Sequence, residues 1–211
     1  MGATKTEGWQ RALDLLGALS ITGAEKVARR YPHQMSGGMK QRVIGAIAIS
    51  STPKVIIADE PTTALDVTIQ LQYLQLLREI QEETGLAIIF ITHDFGIVAR
   101  MCDRVAVMYA GRIIESGDVR TLFNSPTHPY TQALMASVPQ MDRTERLFAI
   151  DGQPPALFPL PEGCRFAARC SHVKDHCTQE YPPTGQPETG HNVSCWMVDP
   201  TWDQTPQEAI S

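Results

Sequence analysis

Two short apolar runs, Val55–Ala58 and Ala87–Thr92, separated by a single helical pattern, constrain this chain more than any other feature. Unbroken runs of that length fit strands buried on both faces of a parallel sheet. Between them, Ile69, Tyr73, Leu76, Leu77 and Ile80 recur on one face of a helix from about Val67 to Glu83, with Asp66 as its cap and Gly85 as its stop. Strand, helix and strand in that order form a βαβ unit with a right-handed crossover. Upstream, Trp9, Leu13, Leu16 and Leu19 mark one amphipathic helix, and Ser36 opens a second that runs to about Ser50 and is stopped by Pro53. Downstream, Val105–Tyr109, Ala110-Gly111 and Arg112–Glu115 read as a hairpin with a two-residue turn. The body is α/β with a mostly parallel sheet.

At 211 residues the chain holds one full domain, or one plus a small appendage. Its net charge of −5 disfavours an electrostatic grip on nucleic acid. The longest apolar runs fall far short of a membrane span, and Met1–Gln10 lacks the apolar stretch of a secretory signal, so a cytosolic chain is expected. Twelve of 15 prolines and four of five cysteines lie after residue 125, which separates a periodic body from a loop-rich, Cys-bearing tail.

Three clusters carry chemistry. The first strand ends in Asp59-Glu60, and strand ends are where α/β sheets bind ligands. An Asp there suits Mg²⁺, and an adjacent Glu suits deprotonation of an attacking water; the bland alternative is an acidic turn. Ser36-Gly37-Gly38 opens a helix with free N–H groups and the positive end of the helix dipole, suited to phosphate, or is an ordinary N-cap. His93 follows the second strand directly and can donate to a phosphate oxygen or a water, or be structural.

Serine to Asp59 is 23 residues and Asp59 to His93 is 34, with each motif at a strand or helix terminus. In that order the chain resembles the ATP-binding subunits of ABC transporters. Ser36-Gly37-Gly38 is similar to the signature motif, Asp59-Glu60 to Walker B with the catalytic glutamate, Ala64-Leu65-Asp66 to the D-loop and His93 to the switch histidine. Met35 and Met39 depart from the usual Leu and Gln. Asn124–Thr131, Gly152-Gln153-Pro154-Pro155 and Gly163-Cys164 resemble the C-terminal extension of dipeptide and oligopeptide importer ATPases, so the resemblance spans roughly residues 9–197. Nickel importers are close relatives.

The resemblance implies a partial P-loop NTPase fold in three parts: residues 1–34 as the remnant of a helical subdomain, 35–123 as the C-terminal part of the ATPase core, and 124–211 as the importer extension. It implies ATP and Mg²⁺ as ligands, with Asp59 positioning the metal, Glu60 as general base and His93 on the γ-phosphate. Ser36, Gly37 and Gly38 would bind that phosphate across a dimer, and Asp66 would couple the two sites. The implied partners are a homologous ATPase subunit, two membrane permeases and, indirectly, a peptide-binding protein. The implied location is the cytoplasmic face of the membrane.

No glycine in the chain precedes a lysine, so the G-x-x-x-x-G-K-[ST] phosphate loop does not occur in these residues. The expectation is the C-terminal part of such a subunit, from a fragment or a split gene, without ATPase activity of its own and with apolar sheet faces left open. Cys164, Cys170, Cys177 and Cys195 offer four thiols. Four thiolates suit a zinc site or an iron–sulfur cluster; gaps wider than those of zinc knuckles tilt against zinc, nearby histidines keep a zinc site open, unliganded thiols remain an alternative, and disulfides suit a reducing compartment poorly. Importer ATPases with such a tail carry a [4Fe–4S] cluster, which the resemblance extends to these cysteines. Cys102 reads as a packed thiol. Two other classes compete with the transport reading: an ABC-type ATPase of DNA repair or chromosome organisation, disfavoured by the acidic charge and short helices, and a non-catalytic, metal-bearing interaction module.

Overall fold

The computed structural model describes residues 4–63, 65–138, 150–156, 158–200 and 202. Two compact units divide the chain, residues 1–97 and 98–211, with the break inside one short helix.

The first unit begins with α1 (Lys5–Ala18), closed at its start by a reciprocal capping box between Thr4 and Glu7. Short α2 (Ala24–Ala28) and a 3₁₀ turn at Pro32–Gln34 lead to α3 (Gly37–Ile49). Next come β1 (Val55–Asp59), α4 (Val67–Thr84), β2 (Ala87–Ile91) and α5 (Phe95–Met101). As the sequence predicts, β1 and β2 pair in parallel, from Val55 with Ala87 to Asp59 with Ile91. Gly85 ends α4 in the left-handed conformation at φ 68°, which a residue without a Cβ adopts freely. The core gathers Leu16, Leu19, Ile21, Val27, Ala46, Leu76, Ile80 and Leu86, with Ile56 and Ile88 of the strands packed against it. Burying each large apolar side chain contributes roughly 1.5–3 kcal/mol.

The expectation of strands buried on both faces is corrected. Val55 and Ile57 of β1 and Ile89 and Ile91 of β2 are half exposed or more, all on one face of the pair. Their sequence is apolar on both sides, but the described residues cover only the side that meets the helices. The expected open apolar face is therefore present.

The second unit is built on β3 (Arg104–Tyr109) and β4 (Arg112–Asp118), an antiparallel hairpin with Ala110 at φ 44° and Gly111 at φ 81°. Two left-handed residues in succession match the twist of the flanking strands, as the Ala-Gly turn predicts. Asp118 caps α6 (Val119–Asn124), and His128 caps α7 (Pro129–Ala136). After α8 (Asp175–Gln179), β5 (Thr184–Glu188) and β6 (His191–Ser194) complete a four-stranded sheet in the order β3-β4-β6-β5, antiparallel throughout. One further expectation changes here. The sheet content of the described residues is not mostly parallel, because only β1 and β2 pair that way. The loop-rich tail contributes strands of its own, and β6 pairs with β4 through Glu115–Val193 and Ser116–Asn192.

Val107, Tyr109, Ile114, Leu122 and Phe166 form the second core, where the Tyr109 ring lies 4.6 Å from Tyr130 and 5.3 Å from Phe166. Arg169 ties residues 150–151 to it, donating to the Ile150 and Asp151 carbonyls at 2.9 and 2.8 Å and to the Tyr109 hydroxyl at 3.2 Å. Gly163 is buried where two backbone segments touch, and the next residue, Cys164, donates its N–H to the Cys177 carbonyl at 2.7 Å. A Cβ at Gly163 would collide with the backbone of Cys177 and Thr178, which cannot rotate away. Gly163→Ala is therefore expected to cost at least about 1–3 kcal/mol, read as a lower urea midpoint of unfolding; an unchanged midpoint would contradict this packing.

Candidate functional site

The tips of β1 and β2 bring Glu60 and His93 together. Glu60 Oε1 accepts from His93 Nδ1 at 2.7 Å, and Glu60 Oε2 accepts from the Thr63 hydroxyl at 2.8 Å. The Glu60 backbone N–H bonds to the Ile91 carbonyl at 2.9 Å, which extends the strand pairing by one residue. To do so Glu60 adopts φ 44°, a left-handed conformation that costs a side-chain-bearing residue of order 1–3 kcal/mol. Strain of that kind persists where surrounding structure over-determines it, and here the strand bond and both carboxylate bonds do so. The His93 bond, and after it the Thr63 bond, hold the Glu60 carboxyl below the usual carboxylate range, so it is ionised at neutral pH. His93 itself is exposed and Glu60 half-buried, so the pair is open to an incoming ligand. Asp59, the last residue of β1, is exposed beside it.

His93 is held in place by its neighbour. Asp94 Oδ1 accepts from the N–H groups of Gly96 and Ile97 at 2.8 and 3.3 Å, and Oδ2 accepts from Gln70 of α4 at 3.2 Å. Sequence reasoning missed Asp94, Gln70 and Thr63. An Asp just before a short helical run was the available signal for Asp94; Gln70 and Thr63 left none.

A second group forms away from that pair. Ser36, Gly37 and Gly38 line an open groove together with Arg42, Leu65 and Asp66. Ser36 Oγ accepts from the Met39 N–H at 3.3 Å, and Asp66 Oδ1 accepts from the Ile69 N–H at 3.0 Å, so both act as helix caps in this structure. Gly37 is exposed at the first turn of α3. Gly38 has a packing role as well: a Cβ there would stand 2.7 Å from Ile69 Cγ2, so its absence lets α3 approach α4. Ala64 lies outside the described residues.

In the second unit, Cys164, Cys170, Cys177 and Cys195 all line one cavity, walled also by His128 and Phe166. All five cysteines are free thiols, Cys102 being half-buried. Burial, reinforced by the charges of neighbouring thiols, pushes Cys170 up to about 11 and Cys195 up to about 12, and raises Cys164. Among the described residues no three His, Cys, Asp or Glu side chains are arranged to hold a metal ion. The expected ligand set thus shares a cavity without being drawn into a single-ion site. As donor chemistry, four thiols lining one largely apolar cavity are of the ligand type that iron–sulfur clusters use.

Behind this cavity lies a buried polar knot that sequence reasoning missed. Glu115, 1% exposed, accepts from His191 Nε2 at 2.7 Å and from the backbone N–H groups of Thr127 and His128 at 2.8 and 3.0 Å. No helix among the described residues is long and apolar enough to cross a membrane.

Parts of this chain are similar to known proteins. Residues 3–63 match the ABC transporter family, and residues 114–177 match the oligopeptide/dipeptide transporter C-terminal region. The dipeptide transport ATP-binding protein DppD of Bacillus subtilis is 47% identical over 93% of this chain and 59% of its own length. The oligopeptide transport ATP-binding protein OppD of the same organism is 45% identical over 98% of this chain and 59% of its own length. The chain thus spans about three-fifths of the curated relatives it matches. Among solved structures, the dimeric post-hydrolysis state of the ATP-binding cassette MJ0796, bound to ADP and Pi, is similar with a TM-score of 0.51 and 31% identity. That likeness covers 57% of this chain and 50% of the other. A putative metal-chelate type ABC transporter in an inward-facing conformation is similar with a TM-score of 0.54 and 26% identity, over 64% of this chain and 51% of the other.

Proposed function

Since this chain joins an ABC-transporter ATP-binding segment to an oligopeptide/dipeptide-transporter C-terminal region, we propose that it is the C-terminal portion of an ATPase subunit that powers import of di- or oligopeptides. The observation that carries this reading is the Glu60–His93 pair, 2.7 Å apart at the tips of two parallel strands. In it, ionised Glu60 accepts the proton of an attacking water, and His93, while orienting Glu60, faces the γ-phosphate. Asp59 is the residue that would hold Mg²⁺, which supplies charge neutralisation to the phosphates. Ser36, Gly37 and Gly38 reach a nucleotide bound by a homologous partner subunit, and Asp66, in the same groove, couples the two sites.

Residues 1–34 are the part facing the permeases, 35–123 the catalytic core and 124–211 the importer extension, with the protein peripheral on the cytoplasmic side of the membrane. Cys164, Cys170, Cys177 and Cys195 hold a [4Fe–4S] cluster, zinc being the alternative occupant. Supporting this is their shared, largely apolar cavity.

Reconstitution tests the reading. Vesicles containing the permeases, a P-loop-bearing partner ATPase and a peptide-binding protein are expected to take up labelled dipeptide with ATP only when this chain is included. The purified chain alone is expected to show no Mg-ATP hydrolysis. Uptake indifferent to its omission would overturn the proposal.

A further inference from the structure

We infer that His128 donates a hydrogen bond from Nε2 to the sulfur-bearing group held by Cys164, Cys170, Cys177 and Cys195, and is a positioning residue for that group. The inference rests on the proposed iron–sulfur role of those cysteines.

Two observations meet at this side chain. His128 forms part of the wall of the cysteine-lined cavity and is 1% exposed. As the cap of α7, its Nδ1 accepts the Tyr130 N–H at 3.0 Å. A neutral imidazole that accepts at Nδ1 carries its proton at Nε2. That Nε2 is fully buried and has no hydrogen-bond partner in the structure. An unmet buried donor costs about 1–3 kcal/mol, and native proteins carry few of them.

The ring cannot easily turn away to find another acceptor. Its backbone N–H is bound by the Glu115 carboxylate at 3.0 Å, its Nδ1 is engaged in the cap, and Phe166 lies 6.0 Å away, centroid to centroid. The surrounding cavity is largely apolar apart from its sulfurs. The acceptor that completes His128 is therefore a ligand thiolate or an inorganic sulfide. Hydrogen bonds to cluster sulfurs favour the reduced, more negative state and so raise the reduction potential.

His128→Asn tests this, because the shorter amide still offers an acceptor to the Tyr130 N–H but withdraws the distant donor. The anaerobically purified parent chain is expected to be brown, with Fe–S stretching bands in resonance Raman spectra that shift in D₂O. In His128→Asn the iron content is expected to stay the same, the D₂O shift to shrink to what the His172 N–H bond to Cys170 Sγ leaves, and the midpoint potential to move negative. A brown parent with D₂O-insensitive bands, or a variant with the parent's potential, overturns the role of His128 alone. A parent that is colourless, with zinc or no metal, overturns the iron–sulfur assignment and this inference with it. Should His128→Asn fail to fold, His128→Ser, whose hydroxyl also caps a helix but does not reach the cavity, is read in its place by the same two measurements.

Discussion

Glu60→Gln in a transporter whose subunit also carries the phosphate loop is expected to lower ATP turnover at that subunit's site by about 10²–10⁴-fold, the usual contribution of a general base. The change is nearly isosteric, so the left-handed backbone and the Glu60–Ile91 strand bond remain, and only the capacity to take a proton is lost. His93→Ala should lower turnover less and change its pH profile. With His93 present, the Glu60 carboxyl is held below the ordinary carboxylate range, chiefly by the His93 bond. The native interaction is therefore complete above the ordinary carboxylate pKa and is lost as pH falls through the depressed folded value. Without His93 the acid limb of the rate profile moves up in pH. Unimpaired turnover by Glu60→Gln, measured with phosphate release in vesicles, would remove Glu60 from the chemistry.

Glu115→Leu is expected to destabilise the second unit by about 3–5 kcal/mol, the typical result of removing one side of a buried polar pair. The substitution deprives His191 Nε2 and the Thr127 and His128 N–H groups of their acceptor in one step. Because Glu115 also sits opposite Val193 in the sheet, amide exchange should accelerate first in β6 and at the start of α7. Urea unfolding with an unchanged slope and a midpoint close to the parent's would show that the knot contributes little.

The local elements were legible because each carries its own stop and start signals. Ser36 and Asp66 cap the helices they precede, Gly85 terminates α4, and Ala110-Gly111 turns the hairpin. The strand-tip acid and histidine were legible because α/β chemistry concentrates at strand ends. What escaped was whatever depends on long-range meeting. Strand β5, Thr-Gly-Gln-Pro-Glu, has neither alternation nor β-branched density, and it exists because β6 offers it a partner. Glu115 reads as a polar residue in a hairpin strand until a histidine 76 positions later buries against it. The four cysteines could be counted but not convened, since their common cavity depends on the close approach that Gly163 permits. Full burial of β1 and β2 was predicted from their apolar faces, and only one of those faces finds cover among the described residues.

The left-handed backbone at Glu60 also constrains how this position can vary. Glycine would relax there at no steric cost, so selection for thermal endurance alone would favour the loss of the carboxylate. A randomised library at residue 60 sorted on heat resistance should therefore enrich glycine at the expense of the carboxylate.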